Sequence, residues 1–326
     1  DTQTIEDIMM RIGVVEREMH NAENACASGG TAVNLLYKDI SSGLYDVGIV
    51  VGTEVMTAMP KGLIGVADGD LDGALGITMP AQGALIGRRF LEQRGGTLED
   101  LAYPSVKNHR NASMNPYAAF QKPVTTEEVM HARMISDPIT VLHCCPTSDG
   151  AAAVILCSEA FVRRHTTQLI RIRSSVVLSA PYEQYDRDIN EIYKIRKLSY
   201  LAYEKAGIGP EDLQLVEMHD AFAPEELYAY EATGVCPDGE CLKFIREGGP
   251  EIGGRCAFSA SGGLQSFGHP LGASGVRVVC EVTQQLRQAC GQRQVPNARC
   301  GMAQMIGGYL TGLGSTTIGA CHILTV

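Results

Sequence analysis

The sequence predicts an α/β fold whose sheets are covered by helices on both faces. The chain has 326 residues, 45% of them hydrophobic, which is enough for one large or two medium domains. Its short apolar runs are rich in β-branched residues, as buried strands are, and they alternate with helical segments. Such alternation indicates strands packed between helices. The apolar runs are residues 47–51, 152–156, 170–177 and 317–324.

The helical segments are separated by turns rich in glycine and proline, which set their ends. A further short strand, 213–218, runs into a polar turn and then a helix. Residues 108–122 have one proline and little periodicity, so a loop is predicted there. The predicted helices are, in chain order, 4–13, 31–36, 77–93, 224–233 and 276–286.

The motif NACASGG at residues 24–30 places Cys26 in a turn of small residues just before a helix. Small neighbours let a substrate and the chain's own N–H groups approach the sulfur. The positive end of a helix dipole favours a thiolate. A cysteine taken alone is as often a small buried hydrophobic residue as a nucleophile. Cys26 therefore needs support from elsewhere in the chain.

Two histidines far downstream supply that support. His269 lies in the glycine-rich loop GGLQSFGHPLGASG, residues 262–275, and His219 lies in EMHDAF, residues 217–222, where an apolar strand ends. A cysteine and a histidine that are distant in sequence can meet in the fold, and an imidazole beside a thiol activates it. Either histidine alone could instead satisfy a buried backbone group. The three together predict Cys26, His269 and His219 as catalytic residues.

These blocks resemble the thiolase superfamily, in particular its sterol-carrier-protein-x type and acetyl-CoA acetyltransferase-like branch. That branch has a nucleophile motif Asn-x-Cys-x-Ser-Gly, an imidazole motif Gly-His-Pro-x-Gly and, between them, His-Asp-Cys-Phe. Further matches are KNH at 107–109 followed by NP at 115–116, and CPTSDGAA at 145–152. Each motif is short, but together they extend the resemblance over nearly the whole chain.

The resemblance implies the thiolase fold, in which two related βαβαβαββ halves pack in five α/β/α/β/α layers with a loop domain inserted in the first half. On this basis residues 1–165 form the N-terminal half, with the inserted loop domain at 58–138, and residues 166–326 form the C-terminal half. Members usually carry a first βαβ portion of about 50–70 residues ahead of the nucleophile, whereas 25 residues precede Cys26 here. We therefore expect the N-terminal part of the natural protein to be missing, with any targeting peptide.

The chemistry that the resemblance implies is the cleavage of a β-ketoacyl-CoA by CoA through a thioester on Cys26. His269 takes the thiol proton, and His219 helps to hold the thioester oxygen. Backbone N–H groups of Cys26 and Gly308 are expected to form an oxyanion hole. CoA and acyl-CoA are substrates, so no tightly bound cofactor is expected, and no residue is assigned to binding them. Cationic candidates are Lys61, Arg88, Arg89 and Lys107.

The chain departs from the branch where a second catalytic thiol is expected. Ala221 stands in place of the acid/base cysteine of His-Asp-Cys-Phe. Met305 stands where other thiolases have the cysteine of a C-terminal Cys-x-Gly motif. Neither side chain can transfer a proton. The candidates to replace the thiol are His219, Tyr309 and a substrate or solvent molecule; a tyrosine suffices as an acid but needs its pKa of about 10 lowered to act as a base.

Two other functions stay open. Thiolase-like proteins that cleave β-hydroxyacyl-CoA esters by retro-aldol chemistry need no acyl-enzyme, and some carry tyrosines where this chain has His219 and His269. A non-catalytic, scaffold-like thiolase subunit would also lack the second thiol. The resemblance further implies a homodimer and, in this branch, a small OB-fold/zinc-ribbon partner protein.

Composition argues against several other classes of protein. The net charge is −10 and no basic run appears, which argues against nucleic-acid binding. No apolar run approaches the roughly 20 residues that span a bilayer. Eleven cysteines without repeated spacing predict neither a disulfide framework nor a zinc site. We therefore expect a cytoplasmic protein with no metal and no membrane contact.

Overall fold

The protein forms alternating helices and strands, as the sequence predicts. The structure is a computed structural model that describes residues 4–58, 74–166, 168–179, 192–308 and 317–326. The helices are α1 (Thr4–Arg11), α2 (Ser28–Ser41), α3 (Met79–Arg94), α4 (Leu98–Ala112), α5 (Thr126–His131), α6 (Glu159–Val162), α7 (Ile192–Ala206), α8 (Ala223–Ala232), α9 (Cys241–Arg246) and α10 (Leu271–Leu286). The strands are β1 (Val47–Val55), β2 (Met134–Ser136), β3 (Ile139–Thr140), β4 (Asp149–Cys157), β5 (Arg171–Ser179), β6 (Leu215–Glu217), β7 (Ala257–Phe258), β8 (Cys300–Gly308) and β9 (Thr317–Thr325).

A five-stranded mixed sheet with the order β5-β9-β8-β6-β7 forms the centre of the C-terminal part. β6 pairs in parallel with β7 and β8, whereas β9 is antiparallel to both β5 and β8. Helix α7 packs on β5 and β9, and helices α2 and α10 also contact this sheet. Strand β8 is buried along almost its whole length. Helix α10 packs against β8, and the hydroxyl of Ser199 in α7 contacts the sulfur of Met302 on this strand, so the covered run shows no alternation.

A second sheet joins β1 to β4 in antiparallel register. Helices α2 and α10 pack against it as well, so these two helices lie between the two sheets. The other face exposes apolar side chains, among them Ile155 at 62%, Val55 at 54% and Val47 at 43%. For this sheet, the expectation that helices cover both faces is not met within the described residues.

Helices α2 and α10 cross at glycines, and this crossing sets the distance between their N-terminal ends, next to which the predicted catalytic residues Cys26 and His269 lie. A Cβ on Gly29 would lie 2.7 Å from the backbone nitrogen of Val276, and a Cβ on Gly275 would overlap the nitrogen of Gly30. Only glycine allows this close approach. Each helix begins two residues after a predicted catalytic residue, so the crossing brings the Cys26 turn and the His269 loop together.

The segment between β1 and β4 adds α3, α4, α5 and a small β2–β3 hairpin that packs on α3 and α5. Helix α4 packs on α8 and reaches Ala112, so the predicted loop at 108–122 is wrong for its first five residues. The rest of that loop lies against the His269 loop: the N–H of Ala119 donates to Phe267 O at 2.9 Å. The side chain of Asn115 donates to Ser261 O at 2.8 Å. The predicted domain boundaries remain predictions.

All eleven cysteines are free thiols. Within the described ranges, no helix combines the length and the apolar character needed to cross a bilayer.

Candidate active site

Cys26 lies in a tight turn at the start of α2. The preceding residue, Ala25, has φ 49°, a left-handed conformation that costs a residue with a Cβ about 1 kcal/mol. Hydrogen bonds hold the turn: the N–H of Ala27 donates to Asn24 O at 3.0 Å, and the Ser28 hydroxyl donates to Ala25 O at 2.6 Å. Cys26 is 7% exposed. The strained turn places the sulfur of Cys26 near the imidazoles of His219 and His269.

His269 is held as a neutral base by Ser274. Nδ1 of His269 lies 2.8 Å from Oγ of Ser274, and the hydroxyl of Ser274 donates its one hydrogen to Pro270 O at 2.9 Å. Oγ must therefore accept from Nδ1–H, which leaves the lone pair on Nε2. Burial lowers the pKa of His269 well below 6.5, and the charges of His219 and Arg277 lower it further. The ring is built to accept a proton at Nε2.

His219 has the opposite electrostatic environment. Its Nδ1 lies 2.8 Å from Oε2 of Glu225, and the two side chains are 4% and 1% exposed. Burial alone would lower the pKa of His219, but the carboxylate of Glu225 and the sulfur of Cys26 outweigh it and raise the pKa well above 6.5. A protonated ring donates from both nitrogens, so His219 can offer Nε2–H to an oxygen that gains negative charge.

The structure brings the three predicted catalytic residues together. A sulfur or nitrogen atom of each of Cys26, His219 and His269 lies within 4.8 Å of the others. The two rings meet edge to face, 5.4 Å between centroids at 82°. Nε2 of each ring is buried and has no hydrogen-bond partner among the described residues. Two unpartnered buried nitrogens beside a sulfur fit a site that binds a ligand or carries out catalysis.

Thiolate and imidazole are also zinc ligands, and these three residues are close enough to share an ion. An ion bound by all three would occupy the sulfur that must attack and the lone pair that must take its proton. Metal binding and acyl transfer at this site would therefore exclude each other.

A buried polar network fixes the loop that carries His219. Oδ1 of Asp220 accepts from the N–H of Leu264 at 2.7 Å, which ties this loop to the His269 loop. Burial first, and then the charge of Glu226, raises the pKa of Asp220 to about 7. Lys107 lies 2.9 Å from Glu226, and neither side chain is exposed. Asn108 donates to both carboxylates, at 2.9 Å and 2.8 Å.

The cationic candidates for CoA binding fare differently. Lys107 is buried in that network and cannot reach a ligand at the surface. Arg88 pairs with Asp137, and Arg89 lies 3.6 Å from Glu92. Lys61 lies outside the described residues.

The predicted oxyanion-hole donors lie on two segments in contact. A Cβ on Gly307 would overlap Asn24 O and lie 2.7 Å from the Ala27 nitrogen, so the end of β8 presses on the Cys26 turn. Gly308 follows with φ 94°, which a residue with a side chain rarely adopts. Tyr309, the tyrosine candidate for proton transfer, lies outside the described residues.

Sequence reasoning missed the two residues that set the charge states of the histidines. Glu225 lies in the first turn of α8, where an acidic residue is ordinarily explained by the helix dipole. Ser274 lies in the first turn of α10, in a run of small residues. Glu225 lies six positions after His219, and Ser274 lies five positions after His269. These short separations are signals that could have suggested contact.

The fold and the site together define an acyltransferase with a cysteine and two histidines at its centre. Comparison with protein families agrees. The model described as "Thiolase, N-terminal domain" matches residues 2–160, and "Thiolase C-terminal domain-like" matches residues 182–319. The chain therefore belongs to the thiolase family, and the fold and enzyme class predicted from the sequence are confirmed.

Three curated relatives illustrate the likeness. Benzoylsuccinyl-CoA thiolase subunit BbsB of Thauera aromatica is 41% identical over 292 residues, covering 88% of this chain and 76% of that protein. An acetyl-CoA acetyltransferase of Methanothermobacter thermautotrophicus is 40% identical over 290 residues, with the same coverage of 88% and 76%. Sterol carrier protein 2 of Bos taurus is 36% identical over 317 residues, covering 91% of this chain and 58% of that protein.

Two solved structures share the fold. The structure of an Ltp2-ChsH2(DUF35) aldolase matches with a TM-score of 0.85 at 24% identity. The match covers 100% of this chain and 85% of the aldolase chain. Human mitochondrial 3-ketoacyl-CoA thiolase has a TM-score of 0.69 at 19% identity, with coverage of 100% and 84%. At these identities the likeness concerns the fold alone.

Proposed function

We propose that the protein cleaves a β-ketoacyl-CoA with CoA and carries the acyl group on Cys26 between the two half-reactions. Nε2 of His269 takes the thiol proton, and the thiolate attacks the β-carbonyl. The C–C bond then breaks, and a second CoA collects the acyl group from the thioester. His219 and the backbone N–H groups of Cys26 and Gly308 stabilise the oxygens that gain negative charge.

The observation that carries this proposal is the opposite charge preference of two imidazoles beside one thiol. His269 is neutral with its lone pair at Nε2, and His219 is protonated and can donate. When different environments lower the pKa of one group and raise that of its neighbour, the site has a base and an acid at the same pH. A neutral base suits thiol deprotonation, whereas a fixed cationic donor suits the oxyanion.

The direct test is to trap the acyl-enzyme. Rapidly quenched mixtures of the protein with acetoacetyl-CoA and other β-ketoacyl-CoA thioesters are analysed by intact-mass spectrometry, and peptide mapping locates the adduct. We expect an acyl adduct on Cys26, lost in Cys26→Ala. It should be retained in Cys290→Ala, which removes another buried thiol of similar exposure, 6% against 7%. Turnover without any adduct on Cys26 would contradict the proposal.

The same assays separate the two alternatives. A retro-aldol lyase would release an aldehyde or ketone without consuming CoA and would survive Cys26→Ala. A non-catalytic subunit would not catalyse the reaction. Added acyl-CoA would not protect its Cys26 from labelling by iodoacetamide. The similar Ltp2-ChsH2(DUF35) structure is that of an aldolase, which is a reason to include β-hydroxyacyl-CoA substrates in the panel.

We also propose that the enzyme works in the cytoplasm as a homodimer, assisted by a small OB-fold/zinc-ribbon partner. The exposed apolar face of β1 and β4 supports an interface in the nucleophile-bearing half. The Thauera relative is named as a subunit, and the similar aldolase structure pairs Ltp2 with a DUF35 protein; both facts support a heteromeric assembly. Light scattering of the purified chain, alone and after co-expression with such a partner, measures both expectations.

A further inference from the structure

Cys145 lies beside the loop that follows β6, and the sequence alone predicts no catalytic role for it. The N–H of Cys145 donates to Ala221 O at 2.8 Å, and Cys144 and Phe222 form an antiparallel bridge. In this register Cys145 stands directly opposite Ala221. Directly opposed residues project to the same face, with Cβ atoms typically about 5 Å apart. The thiol of Cys145 therefore occupies the space next to the methyl group of Ala221.

The two neighbouring thiols are directed differently. Sγ of Cys144 donates to Thr140 O at 3.4 Å, so it is held within its own segment. Cys144 has extended backbone angles, and successive side chains of an extended chain point to opposite faces. For Sγ of Cys145 we find no hydrogen bond within the described parts of the chain. Cys145 as a residue is only partly buried, whereas its thiol lies in buried surroundings.

The surroundings of Cys145 are those of the active site. Burial raises the pKa of its thiol well above 9.0, and the neighbouring Cys144, Cys26, Glu225 and Asp220 raise it further. A thiol with this pKa holds its proton at neutral pH, so Cys145 is suited to be an acid rather than a nucleophile.

The same segment reaches the His269 loop. A Cβ on Gly150 would lie 2.9 Å from Cγ of Pro270. The chain from Cys145 to Gly150 thus passes both loops that carry the catalytic imidazoles.

We propose that Cys145 is the second acid/base thiol of this enzyme, serving from the facing segment in place of a cysteine at position 221. This inference rests on the proposed thiolysis. When the C–C bond breaks, the electron pair left on the α-carbon of the departing acyl-CoA takes the proton from Sγ–H of Cys145. Cys145 is left as a thiolate, and the first product leaves with a C–H bond in place of the broken C–C bond.

The second half-reaction restores the thiol. The thiolate of Cys145 takes the S–H proton of the incoming CoA, and the CoA thiolate attacks the thioester on Cys26. The acyl-CoA product leaves, and the Cys26 thiolate recovers its proton from the imidazolium of His269. Every proton is returned, and no oxidant, reductant or metal is required.

The test compares Cys145→Ser with the matched variant Cys144→Ser, in the full chain with any protein that co-purifies. Serine keeps the size of the side chain but is a far weaker acid than a thiol. Because positioned acid/base groups contribute about 100-fold or more to rate, we expect Cys145→Ser to lose at least about 100-fold in kcat for acetoacetyl-CoA thiolysis. Cys144→Ser should stay close to wild type. Incorporation of deuterium at C2 of acetyl-CoA in D₂O should fall in parallel, while Cys26 can still be acylated by an acyl-CoA, a combination that a purely structural role for Cys145 would not produce.

A rescue variant addresses position directly. Adding Ala221→Cys to Cys145→Ser returns a thiol to the same place from the loop after β6, and we expect the double variant to regain much of the lost rate. Normal thiolysis and deuterium exchange in Cys145→Ser would overturn the inference. So would a loss confined to Tyr309→Phe. In either case an acyl adduct that still forms on Cys26 would leave the proposed function intact, whereas its absence from the wild-type enzyme would refute the proposed function itself.

Discussion

The carboxylate of Glu225 lies 2.8 Å from Nδ1 of His219, and both side chains are almost completely buried. A buried carboxylate that orients an imidazole fixes both the direction of the ring and its charge. The neighbouring His269 has a hydroxyl at the same position of its ring, at the same distance of 2.8 Å. The two rings, whose centroids are 5.4 Å apart, thus differ in their partners, and on the proposed function this difference suits them to different tasks.

Replacing Glu225 by Gln should convert His219 from a cation into a neutral ring. The pKa of His219 is raised by that carboxylate, so its loss leaves burial to lower the pKa. We expect kcat to fall about 10- to 100-fold, less than the roughly 100- to 1,000-fold cost of removing an oxyanion donor, because the ring itself is kept. NMR titration of the His219 ring measures the pKa directly. Glu231→Gln is the control, since Glu231 lies on the same helix but pairs with Arg94; an equal loss of rate in both variants would argue against the assignment.

The pH profile of kcat/KM should be flat across neutrality. His269, whose pKa lies well below 6.5, must be neutral, so the acidic limb should lie well below pH 6.5. His219, whose pKa lies well above 6.5, must be protonated, so the basic limb should lie well above that value. An acidic limb centred near 6.5 would mean that His269 is not the buried base.

Stability should follow the same charge states. The His219–Glu225 pair raises the folded-state pKa of His219, so its stabilisation is fully present below about pH 6.5 and is lost as the pH rises through the folded-state value. Urea unfolding of wild type and Glu225→Gln at pH 6 and at pH 9 measures the effect. The difference in unfolding free energy should be larger at pH 6; an equal difference at both pH values would contradict a cationic His219.

Ser274→Ala should misplace the base without touching the substrate. The ring of His269 would lose the acceptor for Nδ1–H, so its tautomer and orientation would no longer be fixed. We expect kcat to fall about 10-fold or more while KM changes little, because positioning contributes to the transition state rather than to uniform binding. Ser274→Thr keeps the hydroxyl and should retain more activity than the alanine variant. A rise in KM alone would place Ser274 in substrate binding.

Lys107→Met should destabilise the fold strongly. Removing one partner of a buried ion pair leaves uncompensated charge and typically costs about 3–5 kcal/mol. Here Glu226 would lose its cation, and Asp220, whose pKa of about 7 is lowered by Lys107, would become harder to ionise. Urea unfolding gives the free energy. The control Lys243→Met removes a lysine that is 62% exposed and paired with Glu240, and it should leave stability nearly unchanged.

The sequence identified the three residues that meet in the candidate site, but not the contacts that surround them. Cys26, His219 and His269 lie in short motifs of recognisable form, and the strands at 47–51 and 317–324 show as continuous apolar runs. The sequence suggests a surface position for Lys107, because lysines are rarely buried. Nothing in the residues around it indicates an ion pair with Glu226, which lies far along the chain.

Cys145 shows the same limit. Its sequence motif adjoins Cys144, and the two thiols are indistinguishable until the pairing with residues 221 and 222 is known. Long-range pairing of this kind is set by the packing of whole elements. The loop predicted at 108–122 failed for a local reason, because capping by Thr97 and Asp100 starts a helix that continues to Ala112.

The glycine crossing of α2 and α10 means that the nucleophile and its base are assembled late. Cys26 precedes one helix and His269 precedes the other, 243 positions further along the chain (269 minus 26). While the polypeptide is being synthesised, the thiol has no imidazole beside it and is an ordinary cysteine. On the proposed function, the thiol is activated only once the His269 loop has docked, so a chain that stops before position 269 should not form the acyl-enzyme.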